Sequence, residues 1–211
     1  KNFLLVFQFT VSIILIIGTI TIYRQVNFMR NHDLGFNMEG LIVIDGPRIL
    51  RANTFESYMN TLESFKNEIV ALSGVSSITA SSNVPGTEIK NSRVFGIPVE
   101  GRNTEKRIDV YYIDNHFFDT YGLILPAGDN YNASIEEESN KIIINESALP
   151  YYGFKDPVST IGKILRSGKQ EVTVKAIVND FNQQSLKQLP SPIAFFNQPA
   201  NTFYSIKVNM T

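Results

Sequence analysis

FLLVFQFTVSIILIIGTITIY, residues 3–23, determines how this chain is organised. The stretch contains 21 residues without a charged side chain. As an α-helix it extends about 31 Å, close to the hydrocarbon thickness of a bilayer. A signal-peptide core is shorter and precedes small residues, whereas Tyr23, Arg24 and Gln25 follow here. A soluble helix of this length with no polar face is rare. We therefore predict a transmembrane helix over residues 1–24.

The polar side chains within this helix predict packing against further helices. Small and hydroxyl residues let helices approach closely in lipid, and an amide without a partner is costly there. Gln8 and Ser12 are therefore the candidate helix–helix contacts. Serine and threonine hydroxyls can also bond to carbonyls of the preceding turn, so they are compatible with any surroundings.

Charge is distributed unevenly along the chain. Acidic residues are absent before Asp33, and residues 25–211 carry 17 basic and 20 acidic side chains, a net charge of −3. No basic cluster is present, which argues against nucleic acid as a partner. Lys1 on one side of the helix and Arg24 and Arg30 on the other do not favour an exported C-terminal region. The sequence begins without Met, so we expect further residues upstream.

Strands at 41–45 and 75–80 flank an amphipathic helix. Asn53 is placed to cap this helix, with Glu56 at the capping-box spacing, and Gly74 supplies the stop. The apolar face comprises Phe55, Tyr58, Leu62, Phe65, Ile69 and Leu72. This pattern predicts a β-α-β unit with parallel strands and a right-handed crossover.

The rest of the soluble region alternates short strands and short helices. We expect the apolar helix to continue as a helical stalk at 25–37, broken by Gly35. Later expectations are a hairpin of 94–100 and 107–113, helices at 115–121 and 146–152 ended by Gly122 and Gly153, and strands at 141–144, 171–178 and 203–208. The sum is an α+β fold with mixed sheets.

Motifs for chemistry are mostly missing from the sequence. His32 and His116 lack zinc-ligand spacing, and each is expected at the surface or a boundary. No phosphate-binding glycine loop or nucleophile elbow is present, and cysteine is absent. The acidic run Glu136–Glu138 lacks the pattern of a calcium loop and is expected to be solvated. Asp180 follows a strand and is expected to cap the next turn. We expect no cofactor and no enzymatic activity.

Two segments carry a resemblance to a known family. Residues 142–165 run IIINESALPYYGFKDPVSTIGKIL, and residues 172–192 run VTVKAIVNDFNQQSLKQLPSP. The order Asn-Glu, Gly-Phe-x-Asp-Pro, Ile-Gly-Lys and Asp-Phe-x-x-x-Ser-Leu resembles the MacB-like periplasmic core domain of FtsX/MacB-type ABC transporter permeases. YIDNHFFDTYG at 112–122 is similar to the Asp-x-x-Phe-Phe segment of that domain. The opening helix resembles the one that precedes it, especially in the two-module permeases common in Bacteroidetes.

The resemblance implies a permease subunit in the bacterial inner membrane, with residues 25–211 in the periplasm. It implies a periplasmic core domain over 38–211. A porter-like lobe would take about 38–115 and 182–211, and an inserted α+β lobe about 116–181. The three later membrane helices of the family are absent, so the chain looks like a fragment of a longer subunit.

The implied partners are an ABC ATPase that hydrolyses ATP, a second permease module or protomer, the membrane, and a periplasmic adaptor or cargo. Family members act in efflux, lipoprotein release, peptide-antibiotic resistance or control of cell-wall hydrolases. The alternative is the ligand-binding sensor domain of a membrane receptor, which also follows a membrane helix. A membrane-anchored hydrolase would need a nucleophile–base pair that the sequence does not offer.

Overall fold

A computed structural model describes residues 2–31, 33–46, 54–98, 104–132, 135–183, 189–198 and 200–209. The chain forms two compact units, Lys1–Leu34 and Gly35–Thr211. The helices are α1 (Asn2–Asn31), α2 (Phe55–Val70), α3 (Phe117–Tyr121), α4 (Ala148–Tyr152) and α5 (Pro157–Thr160). The strands are β1 (Leu41–Asp45), β2 (Val75–Ser81), β3 (Ser92–Phe95), β4 (Lys106–Ile113), β5 (Ala127–Gly128), β6 (Lys141–Asn145), β7 (Ile164–Ser167), β8 (Gln170–Val178), β9 (Ile193–Asn197) and β10 (Phe203–Val208).

The first unit is the apolar helix α1. It extends without a break past the apolar stretch to Asn31, and Gly35 has a positive φ of 77°. Its segment Phe3–Met29 is long and apolar enough to cross a membrane, by length and composition, and none of it is buried. A long apolar helix is therefore confirmed, and its membrane span over residues 1–24 stays a prediction. His32 lies outside the described residues.

The strands β1 and β2 are parallel, as predicted, but they are not neighbours. Each is antiparallel to β10, which lies between them. The helix α2 follows β1 and packs on β2, where Leu62 joins Ile78 and Tyr204 in a small core. Residues 41–81 and 203–208 thus form a split β-α-β arrangement.

Both ends of α2 differ from the prediction. The N-cap is Thr54, whose hydroxyl accepts a hydrogen bond from the Ser57 amide at 3.1 Å, and Asn53 lies outside the described residues. The helix ends at Val70, so Leu72 lies beyond it and is exposed. The hydroxyl-bearing residue nearest to the first helical turn takes the cap because its oxygen reaches the amide three residues ahead.

The remaining predicted elements are confirmed with small shifts in their bounds. The hairpin is β3 with β4, which pair antiparallel, although residues 99 and 100 lie outside the described part. The helices α3 and α4 end at Gly122 and Gly153. The strands β6, β8 and β10 match the apolar runs that predicted them.

The strand β9 was not predicted, yet it occupies an inner position of the sheet. The order of the described strands is β1-β10-β2-β4-β9-β6-β8-β5, with β3 paired to β4 and β7 to β8. All five residues of β9 are buried. The hydroxyl of Tyr131 links β9 to β6, since it donates to the Phe195 carbonyl at 2.8 Å and accepts from the Ile143 amide at 3.1 Å.

Two apolar cores cover the two faces of the sheet around β9. One contains Ala194 and Phe196, together with side chains of α4, β6 and β8. The other contains Ile193 and Phe195, together with the aromatic residues of α3. Since β9 pairs with both β4 and β6, one sheet includes strands of both expected lobes. The division into a porter-like and an inserted lobe stays a prediction.

Substitution of two glycines by alanine would show how closely β5 approaches β8. Gly128 and Gly162 both have positive φ, 76° and 81°. A Cβ on Gly128 would lie 2.2 Å from the Lys175 carbonyl oxygen, whereas a Cβ on Gly162 would meet no atom within 4 Å. Gly162→Ala should therefore cost only the backbone strain, about 1–2 kcal/mol. Gly128→Ala should cost more, because the backbone of β8 must move.

The measurement is the free energy of unfolding in urea for residues 35–211 and for the two variants. Equal losses in the two variants would show that β5 does not pack against β8 as described.

Candidate functional site

Asp114, the acid of the Asp-x-x-Phe-Phe segment, lies in a buried polar cluster. Its carboxylate accepts hydrogen bonds from the Thr79 hydroxyl at 2.5 Å and from the amides of Ala80 and His116 at 2.9 and 3.0 Å. The Lys66 ammonium lies 2.8 Å from the same carboxylate. These contacts tie the loop after β4 to β2 and to α2.

The Lys66–Asp114 ion pair is almost fully buried, with residue exposures of 4% and 2%. Sequence reasoning missed it, although one signal was available. Lys66 follows Leu62 by four residues and so falls on the apolar face of α2, where a charge needs a buried partner. The two aromatic residues of the segment, Phe117 and Phe118, begin α3 and are buried in the core.

A second polar cluster joins the ends of β6, β8 and β9. Asn145 donates to the Asp180 carboxylate at 2.6 Å and to the Ser191 carbonyl at 2.8 Å, and its own oxygen accepts from the Ile193 amide at 2.7 Å. Asp180 also accepts from the Ser147 amide and hydroxyl, at 3.1 and 2.6 Å.

A cap by Asp180 on its own following turn stays a prediction, and the structure adds partners from another part of the chain. The carboxylate binds the turn before α4, because β6 and β8 are parallel neighbours whose ends meet. The Gln183 side chain bonds to the backbone of Ser191. It donates to the Ser191 carbonyl at 2.7 Å and accepts from the Ser191 amide at 2.9 Å.

Glu138 differs from the expected solvated loop. Its side chain is 1% exposed and forms ion pairs with Lys175 at 3.0 Å and with Lys141 at 3.3 Å. Burial opposes ionisation of this carboxyl, but the hydrogen bonds and charges of the two lysines outweigh burial and lower its pKa below the ordinary 4.5. Glu136 and Glu137 are exposed, as expected. The run is thus partly a structural anchor between the loop and β8.

The candidate helix contacts lie on the surface of α1. The Ser12 hydroxyl donates to the Gln8 carbonyl at 3.0 Å, so this side chain is satisfied within its own helix. Thr10, Thr19 and Thr21 bond in the same way to carbonyls four residues earlier. The Gln8 side chain is exposed on the helix surface. A role for Gln8 and Ser12 in helix packing stays a prediction.

Within the described residues, no group of three or more His, Cys, Asp or Glu side chains could hold a metal ion. His116 is exposed, as predicted. Asn145 is fully buried and bonded on both sides of its amide. The motif residues Asp114, Asn145 and Asp180 therefore hold strand ends and helices together rather than facing a ligand.

The second unit is thus an α+β domain built on a mixed sheet with a split β-α-β arrangement at one end. No family model and no curated protein matches the chain. Solved structures do match its fold. The periplasmic region of MacB from Actinobacillus actinomycetemcomitans is similar with a TM-score of 0.53 and 16% identity, over 83% of this chain and 77% of that one.

A second solved structure gives the same fold. The extracellular domain of the noncanonic ABC-type transporter YknZ from Gram-positive bacteria matches with a TM-score of 0.50 and 16% identity, over 81% of this chain and 84% of that one. The chain therefore has the fold of these extracytoplasmic transporter domains.

The buried ion pair predicts a strong coupling between Lys66 and Asp114. Lys66→Met and Asp114→Asn should each lower the free energy of unfolding by about 3–5 kcal/mol, because each removes one charge of a buried ion pair. The other carboxylate beside Lys66, that of Glu63 at 3.1 Å, is half-exposed. The double variant should lose less than the sum of the two. The exposed pair Arg166–Glu171 is the control, and Glu171→Gln should cost less than about 1 kcal/mol. Additive losses in urea titrations would contradict the coupling.

Glu138 predicts a specific loss of stability in acid. Its pKa is lower in the folded than in the unfolded chain, so its contribution is complete above the unfolded-state pKa and disappears as the pH falls through the folded-state value. Glu138→Gln should remove this contribution. The free energy of unfolding of wild type minus variant should therefore shrink between about pH 7 and about pH 3. A difference that does not change with pH would refute the prediction.

Proposed function

We propose that this chain is the extracytoplasmic part, with one membrane helix, of an FtsX/MacB-type ABC transporter permease. In this role residues 25–211 lie in the periplasm, and the domain transmits ATP-driven motion to a periplasmic substrate or partner. ATP hydrolysis belongs to a separate or fused nucleotide-binding domain. The observation that carries the proposal is an apolar helix followed by a domain with the fold of the MacB periplasmic region.

The course of the backbone supports a domain set into a membrane protein. The strand β1 follows the helical unit, and the C-terminal strand β10 is its hydrogen-bonded antiparallel neighbour. The Val208 amide donates to the Gly40 carbonyl at 2.8 Å, so the segments that lead into and out of the domain adjoin. Such an arrangement suits a domain whose two ends both lead to one membrane surface.

The buried polar clusters support transmission of force. The Lys66–Asp114 ion pair links α2 to the loop after β4, and the Asn145–Asp180 cluster links the ends of β6, β8 and β9. A domain with buried, paired polar groups at its joints moves as a body rather than deforming, because separation of these groups leaves buried charges unpaired.

The finer assignments belong to the same proposal. The transmembrane helix takes residues 1–24, the stalk 25–37, and the two lobes divide 38–211 near 116 and 181. Gln8 and Ser12 contact other helices of the permease. The partners are an ABC ATPase, a second permease module or protomer, and a periplasmic adaptor or cargo. The cytoplasmic membrane of a bacterium is the location.

The topology is tested with single cysteines, since residues 1–211 contain none. Lys169 is exposed in the turn between β7 and β8, and Asn2 precedes the apolar stretch. In intact cells with a permeabilised outer membrane, an impermeant maleimide should label Lys169→Cys and leave Asn2→Cys unlabelled until the inner membrane is opened. The reverse labelling would overturn the proposed orientation.

The coupling to ATP is tested on the full-length protein. It should co-purify in mild detergent with an ABC ATPase encoded beside it, and the sequence after Thr211 should contain three further apolar spans. A single span followed by a signalling helix, together with recovery of a kinase instead of an ATPase, would favour the receptor sensor and exclude the permease.

A further inference from the structure

The strand β1 forms an edge of the sheet that other strands leave open. Among the described residues it pairs only with β10. Three consecutive apolar side chains are exposed along it, Ile42 at 50%, Val43 at 40% and Ile44 at 38%. The segment Leu41–Ile44 contains no proline or charge, and its register with β10 has no bulge. Natural edge strands normally carry a proline, a charged side chain or a bulge, each of which hinders pairing with another chain.

The ladder with β10 determines which backbone groups of β1 face outward. Two bonds flank the strand, from Val208 to the Gly40 carbonyl and from the Gly46 amide to the Thr202 carbonyl. Both lie in register with the pairing of Ile42 to Ile206. Because hydrogen-bonded pairs alternate in an antiparallel ladder, even-numbered residues of β1 bond to β10. The amide and carbonyl groups of Val43 and Asp45 therefore point away from the sheet.

We propose that this edge pairs with β1 of a second copy of the chain, antiparallel, about a two-fold axis at Val43. Each Val43 amide then donates to the Val43 carbonyl of the other copy. Each Asp45 amide donates to the Leu41 carbonyl of the other copy. The Leu41 amide is not needed, since it already donates to the Met38 carbonyl at 3.2 Å. This gives four backbone hydrogen bonds and an isologous interface.

The side chains favour a second copy over an unrelated strand. Under this symmetry Ile42 of one copy lies directly beside Ile44 of the other on one face, so each exposed isoleucine gains an apolar neighbour. On the other face, Asp45 of the second copy lies beside Leu41, whose neighbour on β10 is Lys207. The Lys207 ammonium has no hydrogen-bond partner among the described residues, so this arrangement brings an opposite charge toward it.

The interface deepens the proposed function, because it assigns a surface to the second protomer of the permease. It rests on that proposal only for the presence of two copies in one membrane. Failure of the pairing would leave the orientation and the ATPase partner unaffected, since those are measured separately.

The test uses disulfide trapping in the full-length protein in native membranes. Val43→Cys places two cysteines at a hydrogen-bonded pair with Cα atoms about 5.5 Å apart, within disulfide range. Ile42→Cys is the matched control, because its two copies lie roughly 8 Å apart at the spacing of paired strands, beyond that range. Mild oxidation should link Val43→Cys at least about tenfold faster than Ile42→Cys. The double variant Ile42→Cys/Ile44→Cys should also be linked.

A second variant separates pairing from folding. Val43→Pro removes an amide that points outward and leaves the ladder to β10 complete, so the chain should fold while the dimer fraction in detergent falls several-fold. Three results would overturn the proposal: equal linkage at positions 42 and 43, no linkage at either, or capture of a different protein by Val43→Cys.

Discussion

The burial of β9 on both faces is the constraint on which the rest of the domain depends. A strand covered on both sides must present apolar side chains in both directions, and Ile193, Ala194, Phe195 and Phe196 do so. Because β9 pairs with β4 on one side and β6 on the other, it joins two groups of strands into one sheet. The Tyr131 hydroxyl completes this junction by bonding to both β9 and β6.

Around this junction, buried polar groups also join elements that are distant in the sequence. Asp114 is shared between α2, β2 and the loop after β4, and Asp180 is shared between the ends of β6 and β8. Buried charges contribute little net stability, but they tolerate few alternative arrangements. Paired polar groups accordingly fix the contacts between distant elements, and apolar packing fills the centre of the domain.

Local patterns in the sequence predicted most helices and strands, but they could not predict which distant strands pair. The helices α1 to α4 and the strands β1, β2, β6, β8 and β10 follow from apolar periodicity and from glycine stops, which act over a few residues. The strand β9 escaped because IAFFN is a short run without alternation, placed just after Pro190 and Pro192. Its inner position depends on pairing with β4 and β6, and no local pattern reveals that pairing.

The buried charges were missed for the same reason. Glu138 looks solvated beside Glu136 and Glu137, and its distant partner Lys175 is not visible in the local sequence. The apolar face of α2 signals that Lys66 is buried, but it does not identify Asp114 as the partner. For Asp180 only a local cap was predicted, and its partners Ser147 and Asn145, 33 and 35 residues earlier in the chain, were missed. Asp114 and Asp180 also belong to the segments that carried the family resemblance, and both make contacts between elements distant in the sequence.

The positions of β9 and β10 determine when this domain can become complete during synthesis. The two strands fill the gaps between β4 and β6 and between β1 and β2, yet they are the last two strands described in the chain. Until they emerge, four earlier strands lack a neighbour, and apolar edges stay open. Sheets closed by such late, non-local pairings form slowly. The domain would therefore remain incomplete until β9 and β10 had been synthesised, and its open edges would need protection from aggregation during that interval.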